Sequence, residues 1–237
     1  MNAFRRIATP LALMTAFLAF SAMAADKRET RPVSGFTGIA LAAPINVELV
    51  QGDTESLVLE GDEAALAEIE TVVEQGVLKI RTRSTFDSWH MSKARARVAA
   101  KTIDSIRIAG SGDIDAPQLR STALKVAVSG SGDVRIGTLA ASSIEVTVAG
   151  SGDVLVSGKV DTVSTSIAGS GDVKAGRLET NDAKVSIAGS GDVAVWAKQS
   201  LNVKIVGSGD VRYYGDPAIT KTILGSGSLR RAGASPS

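Results

Sequence analysis

The chain has no cysteine and a single histidine, His90. The first absence excludes a disulfide framework. The two together leave too few soft ligands for a structural zinc site. A Ser-His-Asp triad would have to use His90, and nothing in the sequence sets a nucleophile beside it. Charge of one sign is not in excess either, because 26 Lys and Arg oppose 25 Asp and Glu. A near-neutral chain has no global field to gather nucleic acid or an acidic membrane. Aromatic residues are only 4% of the chain, so any stacking platform for a sugar must draw on very few side chains. Stability must come from apolar packing and backbone hydrogen bonds.

One apolar run is longer than the rest, Leu11 to Phe20. It follows the basic pair Arg5-Arg6 and precedes Ala22-Met23-Ala24, the small-x-small pattern of a signal peptidase site. Residues 1–24 therefore read as a secretory signal peptide. The run is too short to span a bilayer comfortably, and no cysteine follows it to carry a lipid. Loss of Arg5 and Arg6 takes the net charge from +1 to −1. The expectation is an exported bacterial protein, periplasmic or extracellular, with no transmembrane segment once the signal is removed.

What the sequence does have is a repeat. Gly-Ser-Gly-Asp occurs six times, giving the glycine pairs Gly110 and Gly112, Gly130 and Gly132, Gly150 and Gly152, Gly169 and Gly171, Gly189 and Gly191, and Gly207 and Gly209. A seventh copy, Gly225–Ser228, has Ser in place of Asp. The aspartates Asp113, Asp133, Asp153, Asp172, Asp192 and Asp210 follow at intervals of 20, 20, 19, 20 and 18 residues. Branched apolar residues flank each copy. One row before it is Ile108, Val128, Val148, Ile167, Ile187, Ile205 and Ile223. A second is Ile106, Val126, Val146, Thr165, Val185 and Val203, with mostly polar or small residues between the two rows. That alternation marks a strand with one buried face. Ile114, Val134, Val154, Val173, Val193, Val211 and Leu229 follow the corner, and a looser row of Leu119, Leu139, Val160 and Leu178 marks a third side.

A unit of about 20 residues cannot bury its apolar face alone, but a stack of units buries a continuous core. The pattern predicts an all-β fold: a right-handed parallel β-helix, one chain wound in coils of about 20 residues. A propeller blade needs about twice that length. The expected organisation is a linker at 25–35, one domain at 36–231 and a flexible tail at 232–237. Within the domain, residues 36–100 read as irregular opening coils and 101–231 as the regular ones. In the opening region, Asp62 is a candidate N-cap for two helical turns over Glu63–Glu70, and Ser84–Lys93, with Phe86, Trp89 and His90, reads as a loop. The irregular opening and the altered seventh copy are candidate caps for exposed strand edges.

The repeated corner is open to two readings. Glycine supplies positive φ at a sharp turn, and Asp and Ser bond nearby backbone groups. Alternatively, the six aspartates form a column of carboxylates that binds Ca²⁺. Charges about 5 Å apart repel by roughly 1 kcal/mol in water, so something must offset them. The geometric reading is favoured, and no other cofactor is implied. A dinucleotide fingerprint fails because Asp115, Arg135, Leu155, Lys174, Ala194 and Arg212 stand where the third glycine is needed. Trp196, Tyr213 and Tyr214 fall together near the last coils, either capping them or offering a sugar platform. Arg135, Lys174, Arg212 and Arg230 recur two residues after the corner position as an outward basic stripe.

Phe36-Thr-Gly-Ile, Ala43-Pro-Ile-Asn-Val-Glu-Leu-Val-Gln-Gly-Asp, Val77-Leu-Lys-Ile and Ile108-Ala-Gly-Ser-Gly-Asp-Ile resemble the putative auto-transporter adhesin, head GIN domain family. The resemblance covers nearly the whole mature chain. Its Gly-Ile-Asn motif reads Pro44-Ile45-Asn46 here, so Ile45 and Asn46 carry over and the glycine does not. The family implies a β-helical exported bacterial protein, and adhesion by name. No run of barrel-type strands follows the repeats, so self-translocation is not expected. The expected function is a non-enzymatic scaffold or adhesion-like binding module of the cell envelope, with an envelope component, surface glycan or protein as partner. The alternative is a carbohydrate-active β-helix enzyme, a lyase or hydrolase using the repeat carboxylates.

Overall fold

In a computed structural model, residues 27–83 and 94–236 are described. The signal segment and the Ser84–Lys93 loop, with His90, Phe86 and Trp89, lie outside them. The described chain forms one continuous parallel β-solenoid with antiparallel strands at one end. Its regular coils start at β8 (Ser105–Gly110), which is followed by β9 (Asp113–Gly130), β10 (Val134–Gly150), β11 (Val154–Lys159) and β12 (Thr162–Gly169). Then come β13 (Val173–Gly189), β14 (Val193–Gly207), β15 (Asp210–Tyr214), β16 (Ala218–Gly225) and β17 (Ser228–Gly233). The long strands bend around the coil, and each pairs in parallel with the coil before and after it.

Register turns the sequence rows into core columns. Val126, Val146, Thr165, Val185 and Val203 pair successively, as do Val128, Val148, Ile167, Ile187 and Ile205. Each is almost fully buried. Burial of one such side chain contributes about 1.5–3 kcal/mol, and like shapes stack well on a pleated surface. The sequence rows missed two columns, Ala116, Ile136, Val156, Ala175 and Val195, and Leu124, Ile144, Val163, Ala183 and Leu201. One expected row is corrected: Gly158, not Val160, pairs with Leu139 and Leu178. Apolar character groups Val160 with Leu139, although it lies 21 residues on. A register shift makes Gly158 the partner, and Val160 sits two places further, where it is still buried.

The opening region departs from simple coiling. β1 (Lys27–Arg31) lies within the expected linker yet pairs antiparallel with β4 (Ser56–Gly61). β2 (Gly38–Ala42) and β3 (Asn46–Gln51) form a coil that is first in sequence but not in space. β2 lies between β6 (Val77–Thr82) and β8, and β3 lies between β7 (Arg95–Ala100) and β9. The intervening chain covers the end of the stack. β4 pairs antiparallel with β7, and β5 (Ile69–Glu74) pairs antiparallel with β6 through the turn Gln75-Gly76. Both turn residues have positive φ, 52° and 74°, as a two-residue hairpin requires. The helix α1 spans Glu63–Glu68, shorter than expected because Ile69 and Glu70 join β5. Asp62 occupies its N-cap position without a side-chain cap bond. At the far end, Ala232 and Gly233 of the expected tail belong to β17.

Candidate functional site

The corners are the leading candidates from sequence, and the structure shows how each closes. The first glycine of each copy has φ between 122° and 141°, while the second does not need positive φ. A Cβ on either would collide with a carbonyl of the preceding coil, except at Gly110 of the first copy, which has open space around it. The Gly130 carbonyl accepts from the N–H groups of Ser151 and Gly152 at 2.9 and 3.1 Å, and the Gly110 carbonyl accepts from Ser131 and Gly132 in the same way. Two glycines are thus required for two reasons, conformation at the first and close approach at both.

The aspartates form a ladder. The Asp133 N–H donates to Asp113 Oδ1 at 2.9 Å, Asp153 N–H to Asp133 Oδ1 at 2.9 Å, and Asp172 N–H to Asp153 Oδ1 at 3.0 Å. Asp192 and Asp210 continue the pattern at 2.9 and 2.8 Å. Ser228 ends it: its N–H and Oγ both donate to Asp210 Oδ1, at 2.8 and 2.7 Å. Among the described residues no later coil follows this copy to offer an N–H to a carboxylate there. Cations supply further compensation. Lys174 Nζ lies 2.7 Å from Asp153 Oδ2, and Arg135 lies 3.2 Å from Asp133 Oδ2. Burial would raise the Asp153 pKa, but the Lys174 ammonium and the Asp172 N–H outweigh it and hold the carboxyl below its usual range. The Ser228 hydroxyl and N–H likewise lower Asp210. Among the described residues no three His, Cys, Asp or Glu converge in a metal-holding group. The chain's own donors thus offset part of the repulsion that suggested Ca²⁺.

Asn46 pairs in register with Asp113, so Pro44-Ile45-Asn46 is the corner of the coil beneath the first Gly-Ser-Gly-Asp. Ile45 is buried, and its carbonyl accepts the Asp113 N–H at 3.2 Å. A Cβ on Gly112 would lie 2.7 Å from that carbonyl oxygen. Ile45 thereby accepts the first corner N–H through its backbone carbonyl, and Asn46 stands in register beneath Asp113.

The outward row beside the ladder changes character along the axis. It runs Arg97, Glu48, Asp115, Arg135, Leu155, Lys174, Ala194, Arg212 and Arg230. At the start the charges cancel, with Arg97 Nε and a terminal nitrogen both on Glu48 Oε2 at 3.0 and 2.9 Å. Further on, cations alternate with apolar side chains. There the exterior ladder also breaks, with register shifts between Leu155 and Ser157 and between Ala175 and Glu179. A groove of about 310 Å³ opens at the break, with Gly176 and Ala194 as floor and Leu155, Tyr214 and Pro236 among its walls. Tyr214 Cε2 would be 3.1 Å from a Cβ on Gly176, so the ring lies over the glycine. The three expected aromatics separate. Tyr213 takes an inner register position above Val195 and packs on the core, as a cap would. Tyr214 faces the groove, and Trp196 is its half-buried strand neighbour. Glu179, in register with Trp196, is bound by Lys198 at 3.1 Å and Lys159 at 3.2 Å, which lower its pKa. Sequence reasoning did not find the groove. Its available signals were the shortened intervals of 19 and 18 residues and a glycine, Gly176, that belongs to no corner.

Fold and surface together define a β-solenoid scaffold that displays side chains in fixed rows. The chain belongs to the family described as putative auto-transporter adhesin, head GIN domain, whose pattern matches residues 35–217. Its structure is similar to that of a putative adhesin from Bacteroides fragilis, with TM-score 0.84, 24% identity and coverage of 87% of this chain and 96% of that one. A putative lipid binding protein from Parabacteroides distasonis is similar at TM-score 0.72 and 27% identity, covering 88% and 97%. A putative adhesin from Parabacteroides merdae gives TM-score 0.72 at 20% identity, covering 88% and 96%. No curated protein is significantly similar to the chain.

Proposed function

We propose that this protein is an exported, non-catalytic, adhesion-like binding scaffold of the bacterial cell envelope. The observation that carries the binding part of this reading is a groove at a register shift of the exterior ladder, with an aromatic wall and a cationic rim; the assay for sugar release separates it from the enzyme alternative. A solenoid whose neighbouring coils share carbonyls, N–H groups and carboxylates has little freedom to close around a substrate. It presents a fixed surface instead. Family membership and the adhesin-like neighbours support the reading. Among the described residues no helix is long and apolar enough to cross a membrane.

The hydrolase form of the enzyme alternative needs a carboxylic acid kept protonated beside a second carboxylate. Glu179, near the groove, is held ionised by two lysines. Asp153 and Asp210 on the corner ladder, and Glu63, Glu70 and Glu74 in the opening region, are likewise held below the usual carboxylate range. The test is to incubate the chain from Ala25 onward with envelope preparations and with an immobilised glycan panel, while assaying released reducing or unsaturated sugar ends. Saturable binding without release is expected. Sugar release that scales with protein concentration would overturn the proposal.

A further inference from the structure

Resting on that reading, we infer that the groove and the row through it form a binding track for an acidic polysaccharide lying along the solenoid axis. The shared chemistry is a pyranose chain that carries carboxylate or sulfate groups. Three observations point there. First, along one row Arg135, Lys174 and Arg212 are separated by Leu155 and Ala194, so a cation recurs every second coil with an apolar step between. With strands about 4.8 Å apart, that places a cation roughly every 10 Å. Second, the apolar steps coincide with the groove, where the Tyr214 ring packs over Gly176 and lines one wall. Sugar rings pack their C–H faces on aromatic faces, and Tyr adds a hydroxyl at the rim. The groove volume suits one ring. Third, Leu155 is 42% exposed, an apolar surface that a ligand would cover.

Lys174 is already bonded to Asp153, but its side chain is 53% exposed and an ammonium has three donors, so an incoming anion can share it. Arg135 and Arg212 offer planar forks matched to carboxylate or sulfate. Pro236 lies in the same groove, as a small saturated ring in the position assigned to the sugar. The segment after Gly233 is therefore a competitor for the site, and its removal should strengthen binding.

The test is titration of the chain from Ala25 onward with polygalacturonate, dextran sulfate, neutral dextran, and vesicles of phosphatidylcholine containing phosphatidylglycerol. The expected result is binding to one or both acidic polymers, weakened by salt and absent with dextran. Tyr214→Ala, Gly176→Leu and the double variant Lys174→Gln/Arg212→Gln should each weaken it about tenfold or more. A chain ending at Gly233 should bind more tightly. Gly176 lacks positive φ, so Gly176→Leu adds no backbone strain but displaces the Tyr214 ring that packs over it, and circular dichroism checks that each variant is folded. Binding to acidic polymers that all variants retain would overturn the track. Binding to vesicles but not to polymers would overturn the ligand class. Neutral glycan binding on the wider panel, with silence from acidic ones, would overturn this inference and leave the scaffold reading standing. Silence from envelope preparations as well would remove both.

Discussion

Between Ser105 and Gly233 each coil bonds to a copy of itself, whereas between Lys27 and Ala100 strands of different kinds cover one another. Among the regular coils a single kind of corner solves the turn, the backbone pairing and the charge column together. The solution can be repeated, but it leaves an edge wherever it stops. The opening region ends the stack. Antiparallel β5 and β4 cover the outermost parallel strands, and the edge strand β1 carries Lys27, Arg28, Glu29 and Arg31. Charged residues on an edge discourage strand addition from another molecule. The other end is barer. β16 and β17 each pair on one side only, and Leu224 is 60% exposed. Its safeguards are charges, Arg230 and Arg231 on β17 and Lys221 on β16, which takes the register place of the Val203 column. The difference teaches that the repeat determines rigidity and length, while the irregular segments determine where the stack ends.

The glycines give the largest contrast. Gly150→Ala meets both positive φ and a carbonyl of the coil beneath, and it should destabilise by about 3 kcal/mol or more. Gly76→Ala, at φ 74° in the opening hairpin with nothing within 4 Å, should lose only about 1–2 kcal/mol. Urea melts of the two variants measure the gap, and equal losses would mean that close stacking does not govern the corner.

Next is the ladder. Asp153→Ala orphans the Asp172 N–H and should lose about 1–3 kcal/mol. Asp153→Asn keeps an oxygen acceptor and should lose less than half of that at pH 7. If Asn is as damaging as Ala, charge rather than the N–H acceptor is what matters. The pH dependence has the same origin. Asp153 and Asp210 are shifted down in the folded chain, so their contribution is complete above the unfolded pKa of about 3.9. It is lost as pH falls through the lower folded values. The melting temperature should stay level from neutral pH to about 5 and fall below about 4, less steeply in Asp153→Asn. The smallest expected effect on stability is that of Lys221→Ile, which extends an inner column at the bare end. It should barely move the melt yet promote self-association, read by analytical ultracentrifugation.

The regular coils were legible because each column repeats the same chemistry at nearly constant spacing, so Val126 and Val146 identify one another. Where the period fails, legibility fails with it. Val160, 21 residues after Leu139, was the nearest large apolar residue to the expected place, but the register shift put Gly158 there. The coil of β2 and β3 gave no sign in sequence that it lies between β6 and β8, because no repeated residue links those strands. Lys27–Arg31 looked like a linker since its polar residues have no buried face; their pairing with β4 is made by backbone. The corner aspartates were readable as a column that backbone N–H groups could offset, but the particular donor, the aspartate N–H of the next coil, was not. The groove arises from small residues at two register shifts, a tertiary coincidence that no local motif encodes.

The central claim is that the acidic column is held by the chain itself, through N–H groups of successive coils. Amide hydrogen exchange at Asp133, Asp153, Asp172, Asp192 and Asp210 tests it most directly. These five amides should exchange as slowly as the strand amides beside them, with the same protection in EDTA as in millimolar Ca²⁺. Rapid exchange at these positions, or protection that appears only with Ca²⁺, would contradict it.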